Sequence, residues 1–551
     1  MTMSPRAEVP STPVDFRIVG SNNFGRDPKI SYEHTYNMIV SNGYLVFNPG
    51  YKKRISLSSD LNKGRGLFTS KAGFMISVVG NQVHRIERSG ESHYNQILFR
   101  INTSTGNVSI DENNGNQIGI CDGANVWIYN YLTNDVAQAT LPTNTQTGLP
   151  IKPGYIAFNN THFLVSDISS SFWYLSDFNN GLNWLWGPGA TPVAGSVQTK
   201  PDLCQAVIRV PGSADSVLVF GKNVTESWYY SANSQLFPFQ KNTASAIDYG
   251  CLSTSTIATL EKYIVWLAIN EKSGPTLFVS NGVTAERLSN DGFDKKLSEL
   301  VNPEQSYAFL YREFGRIFYQ ITFYHPDDNV TYIFDLSTNE FYSACDENMD
   351  YHIAQRVAFY KDRYYFTSIN DSGVYEISLD FPFYDYTLEN YKNSFPPLGN
   401  GVFEIPRVRV TAPYRLPDTS KFIINQFSFQ VEQGDDKYFK GSDQYYLTLP
   451  GGDILVTETG DDTVTGDFIN DGHTNSYTPR VDISMSKDGQ EAFGNYVAYP
   501  FNPQAKRQNR VSLYKLGQAN EVSFQFRFWS LSPIAVSDGV MQIRHTFPGR
   551  A

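Results

Sequence analysis

An all-β fold is what this sequence predicts: a β-propeller of about seven blades, within a range of six to eight, followed by a β-sandwich-like domain. Three observations carry that expectation. A short phrase (apolar strand, tight polar turn, aromatic-bearing strand) recurs seven times between Ala72 and Ser378. Its turns fall at Gly80-Asn81, Gly123, near Ser169, Lys222, Gly282, Asp328 and Ser372, a period of roughly 40–60 residues, about what one four-stranded blade consumes. Aromatics supply 15% of the 551 residues, with 35 Tyr and 38 Phe, and such side chains fit a pleated, half-buried surface. Helical periodicity is nearly absent; the best candidate spans residues 294–300, with Leu297 and Leu300 turned to the core. One blade cannot bury both of its faces, so blades must stack around an axis.

Taken in order, residues 1–16 read as a flexible arm, poor in hydrophobics and punctuated by Pro5, Pro10 and Pro13. The propeller is expected over 17–390. Within it, Gly43 to Tyr51 looks like a strand running into a proline turn, placed to close the first or last blade, because propellers seal their ring with strands from distant parts of the chain. Trp184 and Trp186, beside a Gly-Pro-Gly turn, are expected in the interior. The stretch holding Phe237-Pro238-Phe239 reads as an extended loop. After Ser378 a linker around Pro396-Pro397 leads to a second domain, 391–551. Its alternating strands are expected over 422–431, 445–449, 480–486, 511–516, 522–529 and 541–544. An acidic insertion within 432–479, densest over 460–475, reads as a surface excursion.

The formal net charge is −11, from 44 Lys and Arg against 55 Asp and Glu. That excludes a general nucleic-acid binder, whose affinity comes from clustered cations on phosphate. It leaves room for a wall past which DNA slides without sticking. Cys121, Cys204, Cys251 and Cys345 lack metal-ligand spacing and read as free buried thiols. No signal peptide is recognised, and the longest apolar run, residues 263–269, is far shorter than the ~20 residues a membrane helix needs. A soluble chain without a membrane-spanning segment is expected.

No constellation points to catalysis. A glycosidase needs two carboxylates flanking the scissile bond, and no Asp/Glu pair stands out. Residues 486–493 resemble the Asp-box of sialidase-type hairpins, a turn device in which Asp bonds backbone amides and Gly takes positive φ. Asp461, Asp462, Asp467 and Asp471 offer oxygen ligands without the spacing of a calcium loop. Lys52-Lys53-Arg54 and Lys506-Arg507 read as solvated basic clusters. The eight histidines form no ligand pair or triad. Catalytic, cofactor-binding and metal-binding residues are therefore assigned to none, and no enzyme is expected. A carbohydrate-active propeller, depolymerase or lectin-like, is the alternative.

Several phrases together resemble a phage family. Ser41-Asn42-Gly43-Tyr44-Leu45 runs into Asn48-Pro49-Gly50-Tyr51-Lys52-Lys53-Arg54, and Arg65-Gly66-Leu67-Phe68 follows. Ser171 to Asp177, Val219-Phe220-Gly221 with Thr225 to Tyr229, and Tyr514 to Gly517 with Phe526-Arg527-Phe528 and Ser532 to Val536 continue the series. In this order, from about residue 36 to 544, the set is similar to the packaged-DNA stabilisation or tail-hub (nozzle) proteins of short-tailed, podovirus-type phages. The resemblance implies a virion tail component assembled in the host cytoplasm. It implies a homohexameric ring below portal and adaptor proteins that extends the channel for duplex DNA and helps retain the genome. Such rings also dock plug or needle proteins and tail fibres or tailspikes. No catalytic residue is carried over, and the longer N-terminal arm and the 432–479 insertion depart from the pattern.

Overall fold

The computed structural model describes residues 11–546, apart from 25–31, 59–61, 145, 232–236, 390–397, 435–478, 488, 491 and 502–507. The chain divides into two compact units: residues 53–344 with 350–377, and residues 1–52 with 345–349 and 378–551.

The first unit is the propeller, with seven antiparallel blades. Four consecutive strands make each of the first four and the sixth; the first, for example, is Gly64–Thr69, Met75–Val79, Gln82–Ser89 and Ser92–Arg100. In the fifth, Gly250–Cys251 and Ala258–Leu260 share the inner position beside Tyr263–Asn270. The second strands carry the burial that stacking requires: Met75–Val79 and His162–Asp167 are buried at every position. One side of each blade meets the next in an apolar seam. Ile76, Val78 and Val83 pack with Ile118, Ile120 and Tyr129. Leu164, Trp173 and Leu175 pack with Val217, Val219 and Trp228.

The seventh blade has three strands of its own, Ala354–Tyr360, Arg363–Ser368 and Gly373–Ser378, and takes its fourth from Gly50–Ser56. Residues 53–56 thus seal the ring from the other end of the propeller. Ile55 and Leu57 enter one core with Tyr360, Tyr365 and Val374 of the last blade and Met75, Val79 and Ile86 of the first. Of the segment expected to do this, Gly43 to Tyr51, only the end, Gly50-Tyr51, belongs to the closing strand; Tyr44–Phe47 pairs with Met38–Ser41 and Ile534–His545 in the second unit.

Two local expectations shift. The turn between the second and third strands of the fifth blade is at Glu271-Lys272, and Gly282 makes the next turn. The helix is Asp291–Ser298, one turn earlier, because the Asn290 side chain accepts a hydrogen bond from the Phe293 amide and caps it there. Phe293 and Leu297 face the core, while Leu300 lies past the end, half-buried. Trp184 is buried and Trp186 half-buried, the latter stacked 5.1 Å from His162.

The second unit is a sandwich. One sheet runs Met38–Ser41, Tyr44–Phe47, Ile534–His545, Phe422–Gln433, Gln508–Ala519. The facing sheet includes Tyr32–Tyr36, Arg407–Val410, Glu521–Trp529 and Arg480–Ser486. Alternation along Glu521–Trp529 turns Phe524, Phe526 and Phe528 inward. There Phe524 stacks on Phe427 at 4.5 Å and Phe526 meets Phe429 edge-on at 5.3 Å. The expected arm at 1–16 is corrected in part: Thr12–Phe16 is a strand registered on Ile534–His545, and Phe16 lies 5.2 Å from both Phe427 and Phe524. The boundary expected at 17 moves for the same reason, since residues preceding 53 group with the second unit, and the one expected at 390 falls at 378, where Phe383–Asp385 already pairs with Val402–Glu404. The linker at Pro396-Pro397, the strand 445–449, the acidic stretch 460–475 and Lys506-Arg507 lie outside the described residues.

Candidate functional site: the propeller axis and the ring seam

The first strand of each blade faces the propeller axis, where Leu67, Ile110, Tyr155, Thr259, Phe309 and Arg356 help to line a cavity of about 200 Å³. No carboxylate belongs to this lining. Side-chain oxygens tie the second blade to the third here. The Ile156 amide donates to Ser109 Oγ at 2.9 Å, and the Phe158 amide to Asp111 Oδ2 at 2.7 Å. Burial pushes the Asp111 carboxyl up to about 6 despite these amides. Two arginines near the axis differ in how they are held. Arg65 spends all of its donors on Gly80 O, Gly106 O, Thr105 O and both oxygens of Thr103. Arg356 makes two bonds, to Ala308 O at 3.1 Å and Asn107 Oδ1 at 2.7 Å.

The seam between first and last blades is ionic at its rim. Arg363 grips Glu91 with both terminal nitrogens, at 2.5 and 2.9 Å, and reaches Glu376 at 3.1 Å. Arg54 donates to Glu376 at 2.7 Å and lies 3.4 Å from Glu91. Hydrogen bonding to Arg363 holds Glu91 down at about 2. His93, 3.1 Å from the Tyr365 hydroxyl, is lowered to about 4, first by burial and then by Arg54.

This geometry corrects the solvated reading of Lys52-Lys53-Arg54. Lys52 pairs with Asp385 at 3.3 Å, Lys53 with Asp371 at 2.6 Å, and Arg54 with Glu376. Those acids follow more than 300 residues later, so local sequence shows the cations as bare. In the Asp-box segment Gly489 does take positive φ (77°) and the Gln490 amide donates to Ser486 Oγ; Asp488 lies outside the described residues, as do Asp461, Asp462, Asp467 and Asp471. All four cysteines are free and buried, and burial lifts the Cys121 and Cys251 thiols to about 12. Such thiols are poor nucleophiles at neutral pH. Among the described residues no group of three His, Cys, Asp or Glu is placed to hold a metal ion, and no helix is long and apolar enough to cross a membrane. Arg356 and Asp111 were not singled out by sequence, and Arg65 entered only as part of the Arg65-Gly66-Leu67-Phe68 phrase. The available signal was weak: a charged residue inside an otherwise apolar inner strand such as AQRVAFY.

Chemically, the lining of this cavity offers the hydroxyls of Ser109, Tyr155 and Thr259 and the Arg356 guanidinium among apolar side chains. The sequence model of the phage stabilisation family, described as bacteriophage P22 Gp10, β-propeller, matches residues 32–340. No curated protein matches the chain. Similar solved structures include the WD40 β-propeller domain of Doa1, at 9% identity and a TM-score of 0.36 over 60% of this chain and 97% of that one. The computationally designed Ika8 protein is similar at 11% identity and a TM-score of 0.35, over 59% of this chain and 99% of its own.

Proposed function

Because this chain belongs to the phage stabilisation family of P22 Gp10-type β-propellers, we propose that it is a structural tail protein of a short-tailed phage particle, a hub or nozzle rather than an enzyme. In this reading six copies form a ring below portal and adaptor proteins, extend the DNA channel, help retain the genome, and dock fibres or tailspikes and a plug or needle. The family match over more than half of the chain is the observation that carries it. Charge agrees: each copy brings −11, and a channel must repel phosphate rather than collect it, since every cation on phosphate adds counterion-release affinity and slows passage.

The test is made on particles. Antibody labelling should decorate the tail, and particles assembled without this protein should package DNA and then lose it. The purified chain should leave duplex DNA unshifted at physiological salt. Labelling of the capsid shell, genome retention without the protein, or tight salt-sensitive DNA binding would overturn the reading.

A further inference from the structure

A long connection joins the third and fourth strands of the third blade, Phe172–Leu175 and Val193–Ser196. It spans residues 176–192, whereas the same connection holds two residues in the first blade and four in the second, fifth and sixth. The loop is fixed in place. The Asp177 amide donates to Asn183 O at 2.8 Å, and Asn183 Nδ2 donates back to Asp177 Oδ2 at 2.9 Å. The Trp184 indole donates to Gly181 O at 2.7 Å and the Trp186 indole to Leu175 O at 3.1 Å. Gln117 of the second blade accepts the Gly181 amide at 2.8 Å.

Held this way, the loop turns apolar side chains outward. Phe178 is 56% exposed, Leu182 41% and Leu185 42%. The Phe178 ring is steadied by His162 at 4.7 Å and Trp186 at 5.6 Å. From Phe178 to Thr199 the sequence holds no Asp, Glu, Lys or Arg, in a chain of which 18% is charged. An uncharged apolar patch on a rigid support has the composition of an interface core, and its fixed shape lowers the ordering cost of binding. Charge decides what covers it. A basic partner is drawn to acidic surface, which this patch lacks. A second copy carries the same net charge of −11, is repelled by acidic surface, and approaches at least cost where neither molecule presents charge.

We propose that this loop is a two-fold contact between copies of the chain, in which Phe178, Leu182 and Leu185 of one copy pack on the same residues of the other. A two-fold contact uses one patch on both molecules and closes on itself, so it goes beyond the ring described above and does not depend on it. Three apolar side chains from each copy make a small centre, which sets the association in the micromolar range.

The experiment is sedimentation velocity of the full chain over a micromolar concentration series at low and high sodium chloride. A monomer–dimer equilibrium is expected, and it should tighten with salt, because screening removes the repulsion between like-charged copies and leaves the apolar contact intact. Phe178→Ser should weaken the dimer by about tenfold or more. Leu182→Asp places a charge on the exposed rim without touching the core, so it decides the matter if the Phe178 variant does not fold. Leu182→Asp copies alone should stay monomeric, as should Leu182→Lys copies, while a mixture of the two should pair. A monomeric wild type at both salts, an association indifferent to these substitutions, one that weakens with salt, or a mixture that fails to pair would overturn the proposal. Any of these leaves the tail assignment standing, since that is tested on particles.

Discussion

The propeller and the sandwich handle distance along the chain in opposite ways. Every propeller seam but the one that closes the ring is built by neighbours along the chain: the third and fourth blades, for example, meet through residues 164–239. The sandwich is stitched from its extremes, with Thr12–Phe16 paired to Ile534–His545 and Tyr32–Tyr36 to Arg407–Val410. At the second junction Arg409 is fully buried and bonds Ile18 O, Ser21 O, Thr35 Oγ1 and Glu33. The lesson is that repetition lets a propeller depend on many modest contacts, whereas a sandwich built from remote segments concentrates its dependence on a few pegs.

The sharpest way to break that comparison is Arg409→Met. It strands Glu33 and three backbone or hydroxyl oxygens, and removing one partner of a buried ion pair costs about 4 kcal/mol. Hydrogen exchange should rise across Tyr32–Tyr36 and Arg407–Val410 while the blades stay protected. Equal loss of protection in the blades would show that the peg is not local to the sandwich.

A smaller effect is expected from Leu164→Ala in the seam between third and fourth blades, where Leu164 is fully buried. The lost methyl groups and cavity amount to about 3 kcal/mol, read as a drop in denaturation midpoint followed by tryptophan fluorescence. A seam that tolerated the change would mean that neighbouring blades close the gap.

Acid separates the two units next. His84 and His93 are held at about 4 and His352 at about 3, all chiefly by burial and all in the propeller. Each is neutral in the fold but titrates near 6.5 once unfolded. The unfolded chain therefore binds more protons in that window, and the stability present above about pH 6.5 is lost as pH falls toward 4. Glu91 adds a loss below 4.5, as pH approaches its folded value near 2. Propeller stability should drop by on the order of 2 kcal/mol between pH 7 and 5, measured by urea denaturation at each pH; a flat profile would contradict it.

The smallest expected effect, about 1 kcal/mol or somewhat more, belongs to Gly282→Ala. Its φ is +93° and an added Cβ would come within 2.3 Å of Val210 Cγ1. An unchanged Tm would mean that the turn between third and fourth strands of the fifth blade relaxes freely.

The blades were legible because their hairpins are local. The exception, the turn at Glu271-Lys272, carries no glycine and leads into Ser273-Gly274-Pro275, so the repeat reads as turning later, at Gly282. The arm and basic cluster were misread for one physical reason. Pro13 and Lys52-Lys53-Arg54 look solvated until the C-terminal strand and Asp385, Asp371 and Glu376 arrive from elsewhere in the chain. Arg356 at the axis was invisible because which strands line the axis is decided by the closure of the ring, which no spacing along one strand reveals.

The strand that seals the ring also sets a schedule for synthesis. Residues 53–56 leave the ribosome first, and their partner Gly373–Ser378 follows more than 300 residues later. At ~5–20 residues per second the wait is roughly 15–60 seconds. During that interval the growing chain holds an unmatched strand at one end and fresh blade edges at the other. Translation that stops early therefore yields no smaller propeller, only an open arc with two adhesive ends, and every finished molecule has passed through that hazard.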